Sequence, residues 1–214
     1  MTLTYTLVLD TGGTDAAPAA AAPRWALAKP GGNALPNVVW LAVPVTGRTT
    51  VTWSESYGLY ASSAAIRDGT PIAVERELRT ALDRMLYPFS GDAFGPPADA
   101  PRTPAGHYEV VNRTAGTLTF GLLQAADVGG APFRGAINAV ALPPGFTADF
   151  SPMPTVFVWL DSAARSGSIV AELPATAARL TFSAGRRVRE CRYEQPLQRL
   201  NGVRDRNIVP FTAW

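Results

Sequence analysis

The sequence predicts an all-β fold, an antiparallel β-sandwich with long irregular loops and one candidate short helix. Three observations carry that expectation. Short runs such as "TYTLVLD" and "TTVTWSESY" alternate apolar and polar residues with period two, as a half-buried strand requires. Gly, Pro, Asn and Asp punctuate these runs at short, fairly regular intervals, as the turns of a sandwich or barrel do. Only the segment 74–89 places its apolar residues at clear helical spacing.

In chain order, Tyr5, Leu7 and Leu9 share one face of a first strand over 4–10. "TGGTDAAPAAAAP" interrupts it as a loop, with a poly-Ala helix as the alternative. "RWALAK" resumes as a short strand. "NVVWLAV" (37–43) is almost continuously apolar, which fits a central strand buried on both faces. After a "VTGR" turn the next strand puts Val51, Trp53, Glu55 and Tyr57 on one face, and Thr50, Thr52, Ser54 and Ser56 on the other. Glu55 therefore falls between two aromatics. Either a carboxylate lies in an aromatic setting, or a bulge re-aims it.

In "VERELRTALDRMLYPF" (74–89), Leu78, Leu82, Met85 and Leu86 predict a helix that Pro88 would stop. A strand over "TPIAVERELR" running into a loop is the alternative. Residues 90–106 are dense in Pro and Gly and read as a surface loop. Strand signals then return in "HYEVVNR", "GTLTFGLLQAA", "RGAINAVAL", "TADFSP", "TVFVWLDS", "GSIVAEL" and "ARLTFSAG". The closing Arg-rich stretch, about 185–214, is expected to wrap the sandwich, with Phe211 and Trp214 as a hydrophobic anchor.

Composition bounds the function. With 47% apolar and 17% charged residues, the 214-residue chain has material for a packed core, and a single domain over 1–214 is expected. A net charge of +2 gives no field for a polyanion, so no nucleic-acid partner is expected. The basic residues are almost all arginine, and Lys29 is the sole lysine. One cysteine, Cys191, excludes an intrachain disulfide and a Cys-based metal cluster, and is expected to be a small buried side chain. The N-terminus has no basic n-region and no long apolar run, and no window is long enough to cross a bilayer. A cytoplasmic location follows, or export without a classical signal.

The chemistry-bearing residues are few. The phosphate-cradling, H-E-x-x-H and G-x-S-x-G motifs are all missing. His107 is the only histidine, so a multi-histidine metal site is impossible, and neither metal nor cofactor is expected. Glu55 and Asp161 are the candidate acid–base pair, should the fold bring them together, with Asp127 and Asp149 weaker candidates. The Arg run in "GRRVRECRYE" is interrupted by Glu190 and Glu194, and reads as a solvated edge strand rather than an anion patch. "NRT" (112–114) matches a glycosylation pattern by chance. Trp40, inside an apolar run, is expected in the core. Trp53, Tyr57 and Tyr60, with Glu55, are the candidate ligand-binding residues, because such rings either stack on ligands or fill a core.

The strand series "YTLVLDT", "LPNVVWLAVPV…TTVTWSESYGLYAS" and "LTFGLLQAA…INAVALPPGFTADFSPMPTVFVW" resembles the rhizosphere-induced RhiA-like proteins. The matching residues are Tyr5 to Leu9, Asn37 to Ala42, Val51 to Tyr57, Phe120 to Leu123 and Phe150 to Trp159. The chain departs from that pattern near residue 18, over 74–106 and in the Arg-rich tail. The resemblance implies a soluble bacterial β-sandwich made without a signal peptide. It supplies no catalytic residues to carry over.

Together these readings give a non-catalytic binding protein that takes a small molecule, glycan or protein partner through exposed aromatics. The first alternative is an enzyme using Glu55 and Asp161 in an aromatic-lined cleft. The second is a membrane-active or homo-oligomeric protein docking through Phe211 and Trp214.

Overall fold

The computed structural model describes residues 3–11, 23–32 and 35–193, and it is built from strands alone, with no helix among the described residues. The first half of the chain contributes β1 (Thr4–Asp10), β2 (Arg24–Ala28), β3 (Val39–Pro44), β4 (Arg48–Ser62), β5 (Arg76–Leu78), β6 (Met85–Ser90), β7 (Ala93–Phe94) and β8 (Ala98–Asp99). The second half adds β9 (Tyr108–Asn112), β10 (Leu118–Val128), β11 (Ala131–Ala136), β12 (Val140–Leu142), β13 (Thr147–Phe150), β14 (Thr155–Asp161), β15 (Ala178–Thr181) and β16 (Val188–Arg192).

Three sheets result. The largest runs β11-β10-β4-β1-β16, with β12 also on β10 and β5 on β4. The second runs β13-β9-β6-β7, with β8 on β6, and the third runs β15-β14-β2-β3. All pairings are antiparallel except β1–β16 and β6–β9. One apolar cluster collects Leu7 and Trp53 from the first sheet, Phe89 and Val110 from the second, and Leu27, Trp40 and Val156 from the third. The sheets thus cover one another's inner faces, as a sandwich does.

Several elements follow directly from their patterns. Tyr5, Leu7 and Leu9 are buried on one face of β1. β4 spans the whole predicted alternation, and its second half, from Tyr57 to Ser62, is buried on both faces. β16 is an edge strand in which Arg192 reaches Glu190 (3.2 Å) and Asp10 (3.8 Å), so these charges meet at the sheet margin. Cys191 is a free, fully buried thiol, and desolvation pushes its pKa up to about 12.

Three expectations need correction. The helix over 74–89 is not formed. β5 pairs with β4 and β6 pairs in parallel with β9, while Leu82, assigned to the buried helical face, is exposed. Tyr87 and Phe89 instead point inward at period two, and the buried Ala81 ties the intervening turn to Tyr57 O (2.8 Å). β3 is buried, but it hydrogen-bonds as an edge strand beside β2 rather than as a central one. "GSIVAEL" forms no strand, contributing only the isolated bridges Ser168–Pro71 and Ile169–Val38. The Pro/Ala segment, Phe211 and Trp214 lie outside the described residues.

Candidate binding site

The geometry around Glu55 is set by an irregularity in β4. Opposite β10, Trp53 faces Ala126 and Tyr57 faces Gln124, so the three residues Ser54, Glu55 and Ser56 answer Ala125 alone. The ladder is broken there, and side chains take over. Gln124 donates from Nε2 to Ser54 O (2.8 Å), satisfying a carbonyl the bulge would otherwise strand. Both sequence readings of Glu55 therefore hold together: its strand bulges, and its carboxylate lies among aromatics.

Those aromatics are not exposed. Trp53, Tyr57 and Tyr60 are 2%, 3% and 0% accessible, which corrects the expectation of open ring faces. Trp53 packs edge-on against Trp40 (5.6 Å) and Phe182 (4.9 Å), and Tyr57 packs against Tyr108 (5.7 Å). The cause lies in the strand series itself. β4 is central in its sheet, and the shared apolar cluster covers Trp53 and Tyr57 with residues of the other two sheets. Tyr60 stands on the opposite face of β4, in a separate cluster with Val38, Leu123 and Ile169, and donates to Asn138 O (2.7 Å). So Trp53, Glu55 and Tyr57 are brought together, and Tyr60 is not.

Sequence reasoning missed Lys29 as a member of this network. It is fully buried just beyond the end of β2, with Nζ 5.1–5.8 Å from the ring centroids of Trp40, Trp53 and Tyr57. Nζ donates to Gln124 Oε1 (2.5 Å) and lies 3.7 Å from Glu55 Oε1, while the Tyr57 hydroxyl donates to Glu55 Oε2. Desolvation lowers the Lys29 pKa to about 8 against the counter-pull of Glu55. Burial, then the Glu55 charge, holds the Tyr57 phenol well above its usual range. Its status as the sole lysine was the available signal, since a residue type used once is unlike the surface arginines. The network joins β2 and β3 of one sheet to β4 and β10 of another.

Asp161 takes no part. At the end of β14 it accepts from Ala163 N (2.7 Å), capping a turn, and no hydrogen bond or ion pair joins it to Glu55. Asp127 likewise accepts from Gly130 N (2.8 Å) in the β10–β11 hairpin. Asp149 differs. Both its oxygens lie within 2.9–3.1 Å of His107 Nδ1, pairing the one histidine with a strand carboxylate.

Asp149 also lines an open cleft of about 240 Å³, at the corner where the chain after β2 meets the β11–β12 connection and β13. Gly31 and Gly32 form one side, and Leu35 and Val140 supply exposed apolar surface. Asn37 is fully committed, donating to Ala139 O (2.7 Å) and accepting from Ala139 N (3.1 Å). Asn138 is only half committed. Its Oδ1 accepts from Leu122 N (2.8 Å), which fixes the amide orientation, while Nδ2 meets no acceptor among the described residues. The residue is 6% accessible and is pressed against Gly31, where an added Cβ would lie 2.3 Å from Nδ2.

Among the described residues, no group of three or more His, Cys, Asp or Glu side chains is placed to hold a metal ion, and no helix is long and apolar enough to cross a membrane. Compared with known proteins, the chain matches no family model, no curated protein and no solved structure.

Proposed function

We propose that the protein is a non-catalytic binding module whose ligand sits in the cleft between Gly31–Gly32, Asn138 and Asp149. The observation that carries this reading is Asn138. Its oxygen is fixed by Leu122 N, while Nδ2 has no acceptor among the described residues and is not a fully enclosed atom, so a ligand in the cleft can take up that donor in place of water. Here the unpaired donor borders an open concavity, with a carboxylate and apolar side chains lining the same space. Asn138 is held in place by residues outside the cleft. Tyr60 holds Asn138 by its carbonyl, and Gly121 gives that carbonyl room, a Cβ there falling 2.1 Å from it. The likeness to RhiA-like proteins is compatible with this reading and adds no residue to it.

A thermal-shift screen with sugars, polyols and small polar metabolites tests the proposal. At least one compound should raise the Tm of the wild-type protein, and the rise should vanish in Asp149→Ala, whose half-exposed side chain supports no core packing. A panel without hits, or a shift that survives Asp149→Ala, sinks the reading.

A further inference from the structure

Resting on that reading, we infer that the ligand of the cleft is a neutral, hydroxyl-bearing ring: a single sugar residue or cyclic polyol. Three features converge on this class. Asn138 Nδ2 can only donate to a ligand, whereas the Asp149 carboxylate can only accept and keeps lone pairs beyond those facing His107 Nδ1. A hydroxyl is both donor and acceptor, so a ring bearing several of them satisfies both sites with one kind of group.

Charge excludes the competitors. Among the described residues, no lysine or arginine lines the cleft and Asp149 is its one ionisable group, so an anionic ligand meets repulsion there without compensation. An ammonium ligand would pair with Asp149 but would leave the Asn138 donor facing another donor. His107 acts as a positioning residue, with Nδ1 spanning both carboxylate oxygens at 2.9 and 3.1 Å and fixing how Asp149 faces its ligand. The volume sets the size. About 240 Å³ lies below the roughly 300–1,000 Å³ of sites for drug-sized molecules, so one ring fits. Leu35 and Val140, both partly exposed in the wall, offer the apolar contact that the C–H face of such a ring accepts. Because the cleft is open, the ring can equally be the terminal residue of a longer chain.

The test is an amide-detected NMR titration of the intact protein with three matched probes: methyl glucoside, glucuronate and glucosamine, joined by inositol as a cyclic polyol. The glucoside or inositol should move the Asn138 side-chain NH₂ resonances together with the backbone amides of Gly31 and Asp149. Glucuronate should bind at least tenfold more weakly. Asn138→Asp, which keeps the acceptor to Leu122 and removes the donor, should weaken the neutral probe at least tenfold. Should that variant not fold, the wild-type NH₂ shift decides alone. If glucosamine or glucuronate binds the same residues more tightly than the neutral probes, the ligand class is wrong while the cleft remains a binding site. If no probe moves any cleft resonance, the ligand class falls, and the thermal-shift screen decides whether the binding reading falls with it.

Discussion

At the scale of the residue, Lys29 shows how a charge is kept inside a β core. Burying an ammonium costs several kcal/mol even after relaxation, and here Gln124, Glu55 and three ring faces offset that cost. The depressed pKa fixes the sign of the pH dependence. Between about 8 and the ordinary value of 10.5 the unfolded chain holds a proton on Lys29 that the folded chain has lost, so folding stability rises with pH across that window. Cys191 opposes this above its ordinary value of 9, because its folded thiol keeps a proton that the unfolded thiol loses. Comparing Lys29→Met with wild type cancels the Cys191 contribution. At pH 7 the variant should lie within about 2 kcal/mol of wild type, since apolar replacement of a buried charge is often neutral or stabilising. Relative to wild type it should then lose ground steadily from pH 8 to 10, measured by urea midpoints. A difference that stays flat over that range would show that Lys29 is not held with a lowered pKa. Composition marked Lys29 as unusual but not its surroundings, because a single lysine carries no statement about which strands will surround it.

At the scale of the element, β4 was readable in part. The period-two alternation of Val51, Trp53, Glu55 and Tyr57 placed them on one face correctly, since that depends only on local geometry. The bulge at Glu55 was offered only as an alternative, because it is a relation between β4 and β10 and involves residues about seventy positions apart. The same limit explains 74–89. Leu78, Leu82, Met85 and Leu86 satisfy helical spacing, yet β5 pairs with β4 and β6 with β9, burying Tyr87 and Phe89, and Arg84 takes a left-handed φ of 62° at the turn into β6. Propensity lost to tertiary pairing. The cleft was less legible still. Asp149 was noticed only as a strand acid, and Asn138 not at all, because its role comes from Gly31, Gly121 and Leu122 crowding around it.

Gly58 supplies the prediction for this element. A Cβ there would meet Leu78 O at 2.4 Å and Arg79 O at 2.8 Å, both backbone atoms, as well as Arg134 Nη2 at 2.3 Å. The close approach of β5 to β4 therefore needs glycine. Gly58→Ala should destabilise by about 1–3 kcal/mol, as overpacking does, and should do so even though alanine suits a strand better than glycine. A urea midpoint equal to wild type would mean that the chain after β5 moves aside without cost.

At the scale of the whole molecule, the three sheets share one apolar cluster, and no sheet buries its inner face without the others. Cooperative unfolding follows from that sharing. Near-UV circular dichroism, which reads the packed Trp40–Trp53–Phe182 group, and far-UV dichroism, which reads the strands, should give coincident thermal transitions. Two separated transitions would show that one sheet stands without the rest. The all-β class was evident from turn spacing, as were most of the strands outside 74–106. The number of sheets was not, since two runs with the same alternation look alike whether they pair with each other or face each other.

The pairing of β1 with β16 reaches beyond stability to the order of synthesis. Leu7 lies beside Arg189 in a parallel ladder, so one edge of the earliest strand is closed by the last strand described. At roughly 5–20 residues per second, a ribosome needs on the order of ten seconds or more between the two. Throughout that interval β1 has at most one hydrogen-bonded neighbour, β4, and its outer row of amides and carbonyls faces whatever the cell supplies. Until β16 arrives, that open edge is a template on which another chain can pair.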